Sequence, residues 1–383
     1  MTSHAGNFTK ITFPLTRVNR LTWHPILPHL ICVTQDENLC TVSAVSIDAH
    51  QESHLMWKMD VSLPEPGNAG TLIAVSHHPF YPRLLLLFEQ GLHLWDYQKG
   101  VDIAHRRLAR GVTIAGGFFP DTERIWTLPI ASSGSVDWGV WNYHDDTYQE
   151  YELERYDHYG RGAVLHPSGL LIGALWNTYA CGYLMHRVQP LSDGVLGYYE
   201  HPTIERSEYE NYLPTFSPDG TLFAFVANPY VGGGTNMGYV CIYELETATL
   251  RAIFPTGSTK LNEQGLQFVD TATTLAYSID DQLNIHEQAK GWELTSIKMP
   301  SSIRSFAGHP LLGLFAVALK DEVIALVGRS ATGQQNLSSQ QSRIALDAES
   351  VSQRFRSQAQ EAAERFLSTN EHYLRPVGSS ADM

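Results

Sequence analysis

The sequence predicts an all-β fold: a seven-bladed β-propeller closed by its N-terminal strand and followed by a C-terminal amphipathic α-helix. Three observations predict it. A short strand–turn–strand phrase recurs seven times between residues 10 and 328, further strand-like runs follow each copy, and helical periodicity is absent until about residue 340. Repeats at a fixed period are the mark of solenoids and propellers, and they override the two or three domains that the length of 383 residues would suggest.

The phrase is an apolar strand that ends in a His-Pro or Ser-Pro-like turn. It occurs at Leu21–Pro25, Ile73–Pro79, Ile114–Pro120, Ala163–Pro167, Pro214–Gly220 and Ile303–Pro310, with a degenerate copy lacking proline at Leu266–Asp270. The residues before the prolines, with Val269 standing in for the degenerate copy, are 24, 78, 119, 166, 217, 269 and 309. They are spaced by 54, 41, 47, 51, 52 and 40 residues, which brackets the roughly 40–50-residue period of propeller blades.

After each turn comes an apolar run: Leu30–Val33, Leu84–Phe88, Arg124–Leu128, Leu170–Leu175, Leu222–Val226, Leu275–Tyr277 and Leu312–Leu319. A second follows a polar or glycine-bearing break: Leu39–Val45, Gly91–Tyr97, Trp138–Tyr143, Gly182–Val188, Tyr239–Leu245, Leu283–His286 and Glu322–Val327. Short β-branched and aromatic segments bounded by turn residues read as strands. Most repeats add a more polar fourth strand: Met56–Val61, Tyr148–Leu153, Val195–Glu200, Leu250–Phe254 and Trp292–Lys298. The seventh repeat lacks one, while an orphan strand, Phe8–Phe13, precedes the first repeat. That orphan is expected to complete blade seven, because closure removes the exposed edges an open array would leave.

The pattern resembles the WD-repeat family over about five-sixths of the chain. Leu94-Trp95-Asp96 stands where the family's Trp-Asp dipeptide ends the third strand, Gly308-His309 echoes its Gly-His, and Ser217-Pro218-Asp219-Gly220 is a turn common among its members. Most blades lack both signatures, so the resemblance is to a divergent WD-like propeller. It implies a protein–protein interaction platform.

The predicted organisation is a propeller over residues 1–328, a flexible polar linker over 329–342, a helical tail over 343–375 and a disordered C-terminus over 376–383. In the tail, Ile344, Ala348, Val351, Phe355, Ala359, Ala362 and Phe366 follow alternating three- and four-residue steps, which make one apolar stripe on a helix. Such a stripe packs on the propeller, on a partner or on a second copy of the chain. Its charges are balanced, which argues against an anionic-membrane anchor.

Composition narrows the function further. The chain is 43% hydrophobic with a formal charge of −14, and an acidic surface repels phosphate backbones, so no general nucleic-acid binding is expected. The N-terminus lacks the apolar segment of a signal peptide, and no run approaches the roughly 18 apolar residues of a membrane span. A cytoplasmic protein without membrane contact is expected. Cys32, Cys40, Cys181 and Cys241 form no CxxC pair and read as reduced, mostly buried thiols.

Of the 17 histidines, His24, His78, His166 and His309 share one place in the repeat. A residue recurring at one blade position caps the turn rather than binding an ion. There is no GxSxG, HExxH or GxxxxGK[ST] motif, and Gly232–Gly234 lacks the lysine of a phosphate loop. No catalytic residue, metal or cofactor is therefore expected.

Function is instead expected in the loops of blades three to five, where Trp138, Tyr156, His158, Tyr159, Arg161, Trp176, Tyr179, Tyr209, Tyr212 and Tyr230 concentrate. Tyr, Trp and Arg are the usual anchors of protein contacts. The tail residues Ile344, Val351, Phe355 and Phe366 are the second candidate surface. The expected function is a scaffold or adaptor subunit of a larger cytoplasmic assembly. Its alternatives are a propeller hydrolase or lyase, with Asp157, His158 and Arg161 the residues to test, and a sensor or specificity subunit of a bacterial multi-protein system.

Overall fold

The computed structural model describes every residue except 1–7, 12–16, 26, 37–38, 49–51, 63–69, 79–80, 109–111, 121–122, 131–136, 153–161, 179, 189–194, 200–208, 230–237, 257–264, 270–273, 311, 322, 329–347 and 377–383. The fold is a seven-bladed β-propeller, seven antiparallel sheets of four or five strands each, and the described residues include one α-helix near the C-terminus. The chain divides into two compact units, residues 1–107 with 260–354 and residues 108–259 with 355–383.

The first unit holds four blades. β1 (Phe8–Ile11) stands apart from blade one, which is β2 (Val18–Trp23), β3 (His29–Asp36), β4 (Leu39–Ile47) and β5 (Ser53–Ser62). Blade two is β6 (Leu72–His77), β7 (Arg83–Phe88), β8 (Gly91–Asp96) and β9 (Val101–Arg107). The second unit begins with blade three: β10 (Val112–Phe118), β11 (Arg124–Ile130), β12 (Asp137–Asn142) and β13 (Thr147–Glu152). Blade four is β14 (Ala163–Leu165), β15 (Leu171–Thr178), β16 (Ala180–Val188) and β17 (Val195–Tyr199); blade five is β18 (Tyr209–Phe216), β19 (Leu222–Pro229), β20 (Tyr239–Glu244) and β21 (Thr249–Pro255).

The chain then returns to the first unit. Blade six is β22 (Gln267–Val269), β23 (Thr274–Ile279), β24 (Gln282–Glu287) and β25 (Glu293–Lys298), and blade seven starts with β26 (Ile303–Gly308), β27 (Leu314–Leu319) and β28 (Ile324–Gly328). Its missing fourth strand is β1, which pairs antiparallel with β28 in the register Phe8↔Val327 to Ile11↔Ile324. The N-terminal closure expected from the orphan strand is thus present.

Middle strands are largely apolar because both of their faces are covered. Leu84 to Phe88 in β7 and Phe315 to Val317 in β27 have no exposure at all. Their side chains fill clusters between successive blades: blade one with two, six with seven and seven with one in the first unit, and three with four and four with five in the second. Outer strands read polar because water reaches them; β9 and β21 alternate between exposed and half-buried positions.

One device escapes sequence reading. In β2, β6, β10, β18 and β26, the first strands of five blades, the pairing register shifts by one extra residue. A bulge of this kind bends a strand and increases its local twist.

The tail differs from expectation in its bounds. Helix α1 spans Ala348–Asn370, a short 3₁₀ turn covers Glu371–Tyr373, and β29 (Leu374–Pro376) follows. The expected helix to residue 375 therefore stops at Asn370, and its expected start at Arg343 lies outside the described residues. β29 pairs antiparallel with β17 and gives blade four a fifth strand.

Candidate functional site

The repeated histidines come first, because they are the residues most often mistaken for ligands. In each copy Nδ1 accepts a backbone N–H of the following turn: Leu27 to His24 at 3.0 Å, Tyr81 to His78 at 2.9 Å, Ser168 to His166 at 3.1 Å and Leu312 to His309 at 3.2 Å. This is the turn-capping role expected from their repeat position.

Two of them do more. His166 Nε2 lies 3.0 Å from the Gly220 carbonyl of the next blade, and His309 Nε2 lies 3.1 Å from the Leu27 carbonyl of its next blade. A carbonyl only accepts, so Nε2 carries the proton and Nδ1 the lone pair. Each ring is a neutral staple from one blade to the next. Burial accordingly pushes the pKa of His166 down to about 4 and that of His309 down to about 3.

Gly220 is tied to this geometry. Its φ is +71°, and a Cβ there would stand 2.3 Å from His166 Nε2 and 3.2 Å from the Ala359 Cα of helix α1. The Ser217-Pro218-Asp219-Gly220 turn closes on itself: Ser217 Oγ donates to Asp219 Oδ1 at 2.6 Å, and Thr221 N–H donates to the same oxygen at 3.1 Å. Asp96 plays the corresponding part after β8, accepting from the Gln98 and Lys99 amides at 3.1 and 2.9 Å.

The tail helix is docked on its own chain. Ala359, Ala362, Ala363 and Phe366 are buried, and the Phe366 ring meets Tyr199 of β17 edge-on at 5.0 Å. Arg356 donates to the Pro120 carbonyl of blade three at 3.0 Å, and Asn370 donates to the Glu246 carbonyl of blade five at 3.0 Å. Arg365 pairs with Glu246, and Glu371 pairs with Arg187 of blade four. The polar anchors on Pro120, Glu246 and Arg187 lie toward the end of blades three to five where strand one turns into strand two and strand three into strand four.

This corrects one expectation. Phe366 is not free for a partner, since an apolar stripe finds its cheapest cover in the nearest apolar surface, here β17 of its own chain. Phe355 is half-buried on the same helix. The side chain of Val351 and all of Ile344 lie outside the described residues.

Trp138 is a second correction. It is 0% exposed, stacked on Trp126 at 5.2 Å and 7° with Phe119 edge-on, inside the cluster between blades three and four. The alternation Trp138, Val140 along β12 carried that signal, because residues two apart share a strand face.

Of the other expected contact residues, Tyr212 is half-buried in β18, beside the register shift. Trp176 and Tyr209 lie in β15 and β18, opposite Gly182 and Pro229, with side chains outside the description. Tyr156, His158, Tyr159, Arg161, Tyr179 and Tyr230 lie outside the described residues, as do Asp157 and the glycine run 232–234. Cys32, Cys40 and Cys241 are buried free thiols, and burial pushes Cys40 and Cys241 up to about 12.

Among the described residues, Asp48, Glu52 and His54 bring potential ligand atoms within 4.8 Å of one another. Asp48 is half-buried and the other two are exposed, and Asp48 Oδ1 is occupied by the Glu52 amide at 2.8 Å. No described helix is long and apolar enough to cross a membrane.

Comparison with solved structures supports a divergent WD-repeat-like propeller. The β-propeller domain of Cps50 (Swd1) from Myceliophteria thermophila superposes with a TM-score of 0.62 at 13% identity, covering 84% of this chain and 99% of that one. The C-terminal WD40 domain of Sif2 gives 0.60 at 10% identity, covering 86% and 100%. Kuenenia stuttgartiensis hydrazine synthase gives 0.62 at 13% identity, covering 84% and 98%. No protein-family model and no curated protein matches the chain.

Proposed function

We propose that this WD-repeat-like propeller is a non-catalytic interaction scaffold, an adaptor subunit of a larger cytoplasmic assembly. In this reading the partner is a protein, engaged at the end of blades three to five opposite helix α1. The observation that carries it is the placement of the tail. The helix occupies the strand one–two end of these blades through Pro120, Gly220 and Glu246, and β29 covers the outer edge of β17.

The opposite end is where strand two joins strand three and where one blade joins the next. The joining segments there carry Tyr156, His158, Tyr159, Arg161, Tyr179 and Tyr230, a set rich in the rings and guanidinium that anchor protein contacts. Loops on a rigid scaffold are where recognition usually resides. Fold likeness to WD40 domains agrees with this reading but does not carry it, since fold alone does not fix function.

The test is cross-linking of the full chain in its native cells, followed by mapping of the linked peptides. Links from a recurring partner to segments 153–161, 200–208 and 230–237, lost in a Tyr159→Ala/Arg161→Ala/Tyr230→Ala variant, support the proposal. A partner bound equally by that variant, with links confined to other blades, refutes it.

A further inference from the structure

Blade two brings together two imidazoles and a carboxylate that are far apart in the reading of single motifs. His93 in β8 stands directly opposite His105 in β9, and the pair lies at 5.6 Å between ring centroids with the rings 20° apart. Directly opposed residues on neighbouring strands place their Cβ atoms roughly 4.5–5.5 Å apart, close enough to share a ligand.

A bulge supplies the third group. The register passes from Leu94↔Ala104 to Trp95↔Asp102, skipping Ile103. In an unbroken strand Asp102 and His105 would face opposite ways; the extra residue turns Asp102 onto the face of His93 and His105. Asp102 Oδ2 then lies 3.8 Å from His93 Nδ1 and 3.4 Å from His105 Nδ1.

These distances are long for hydrogen bonds. Ligand bonds of roughly 2.0–2.2 Å set neighbouring ligand atoms about 3.3–3.6 Å apart in a tetrahedron; the 3.4 Å distance matches that edge and the 3.8 Å distance stands just beyond it. His93 is the second, independent observation. It is only 4% exposed, and neither of its ring nitrogens has a hydrogen-bond partner. A buried imidazole left without a partner is destabilising unless something engages it. Phe88 walls its buried side, edge-on at 6.1 Å.

We propose that His93, His105 and Asp102 form a three-ligand site for a divalent transition metal of borderline softness, Zn²⁺ or a close relative. Two neutral imidazoles and one carboxylate suit such ions and disfavour Ca²⁺ and Mg²⁺, which take oxygen ligands. The near-parallel rings keep the two imidazole lone pairs in separate planes, and His105, with 57% of its side chain exposed, has room to rotate about its side-chain bonds and turn a nitrogen toward the ion. Three protein ligands leave a coordination position open on the solvent side of the blade.

The experiment uses the full chain freed of metal by dialysis against a chelator, then titrated with Co²⁺ and competed with Zn²⁺. Binding is read by calorimetry and by the visible absorption of low-coordinate Co²⁺. The expected result is one Co²⁺ per chain displaced by Zn²⁺. The affinity should fall at least about tenfold in both His105→Ala and Asp102→Asn, a loss that even an outer partner of a ligand can cause, and stay unchanged in His54→Ala. Both altered residues are exposed, so thermal melts of the variants should match the parent. Absence of Co²⁺ uptake, or uptake equal in the parent and both variants, overturns the proposal. So does a loss seen only in His54→Ala, which would assign the ion to the hairpin cluster.

Discussion

His166 offers the sharpest test of the blade-to-blade staple. Its Nδ1 accepts the Ser168 amide and its Nε2–H donates to the Gly220 carbonyl, so protonating Nδ1 would set one N–H against another. The folded pKa is held near 4 against an ordinary 6.5, chiefly by burial. The sign follows from that depression. Between pH 6.5 and 4 the unfolded chain binds the proton and the folded chain does not. Stability from this group is thus complete above pH 6.5, declines as pH falls and is gone below about 4.

A pKa difference of about 2.5 corresponds to about 3 kcal/mol, of which about 2 kcal/mol is already lost at pH 5. In His166→Asn the amide oxygen replaces Nδ1 as acceptor, but the link to Gly220 is gone and nothing titrates. Urea unfolding followed by tryptophan fluorescence should show the variant less stable than the parent by about 2 kcal/mol at pH 7.5, the cost of a lost buried hydrogen bond. That gap should close or reverse by pH 4.5. Other buried histidines, such as His186 with a pKa near 4, titrate in both proteins and cancel in the difference. A gap that is the same at both pH values would refute the staple.

Three further outcomes are expected. Phe366→Ala should weaken tail docking by about 3–5 kcal/mol, the usual loss for a fully buried phenylalanine; hydrogen exchange in residues 355–376 should rise sharply while β27 stays protected, and unchanged exchange would contradict the packing on Tyr199. Gly220→Ala places a Cβ 2.3 Å from His166 Nε2 at a φ of +71°, so its melting midpoint should fall by several degrees, and a neutral result would deny the close approach. Deletion of residues 1–11 strips β1 from β28 and bares a strand edge; size-exclusion chromatography should then show self-association, and a stable monomer would show that β1 is dispensable.

Much of the fold was legible because its signals are local. The His-Pro turns reveal the blade period, since a histidine caps its own turn through a neighbouring amide. The β1 pairing followed from strand arithmetic, one strand short in blade seven and one spare at the start. What stayed hidden depends on distant partners. That His166 reaches Gly220, or that β29 seeks β17, is set by three-dimensional neighbours 54 and about 177 residues away. Trp138 misled because it was read with the loop before it; its alternation with Val140 along β12 marked an inward face, where it stacks on Trp126. The His93–His105 pair was hidden as well. Folding the chain evenly about the Tyr97–Gly100 turn sets residue 93 opposite 104, and only the bulge at Ile103, which leaves no mark in composition, brings His105 opposite His93.

The apolar stripe of the tail shows how a shared signal divides into different functions. A stripe of alternating three- and four-residue steps fits docking on self or on a partner equally well, and periodicity cannot separate the two. The deciding chemistry is polar. Arg356, Arg365, Asn370 and Glu371 each meet a specific carbonyl or charge on blades three, four or five, so the helix is keyed to one site and one orientation. Keyed contacts to three successive blades brace them against one another at the end the helix occupies. A brace at one end holds the strands whose other ends carry the aromatic segments. Recognition by such loops gains when the strands beneath them are held, because less freedom is then lost on binding. Under the proposed function the helix belongs to the scaffold rather than to the contact surface, and releasing it should weaken partner affinity in the cross-linking assay without removing a single contact residue.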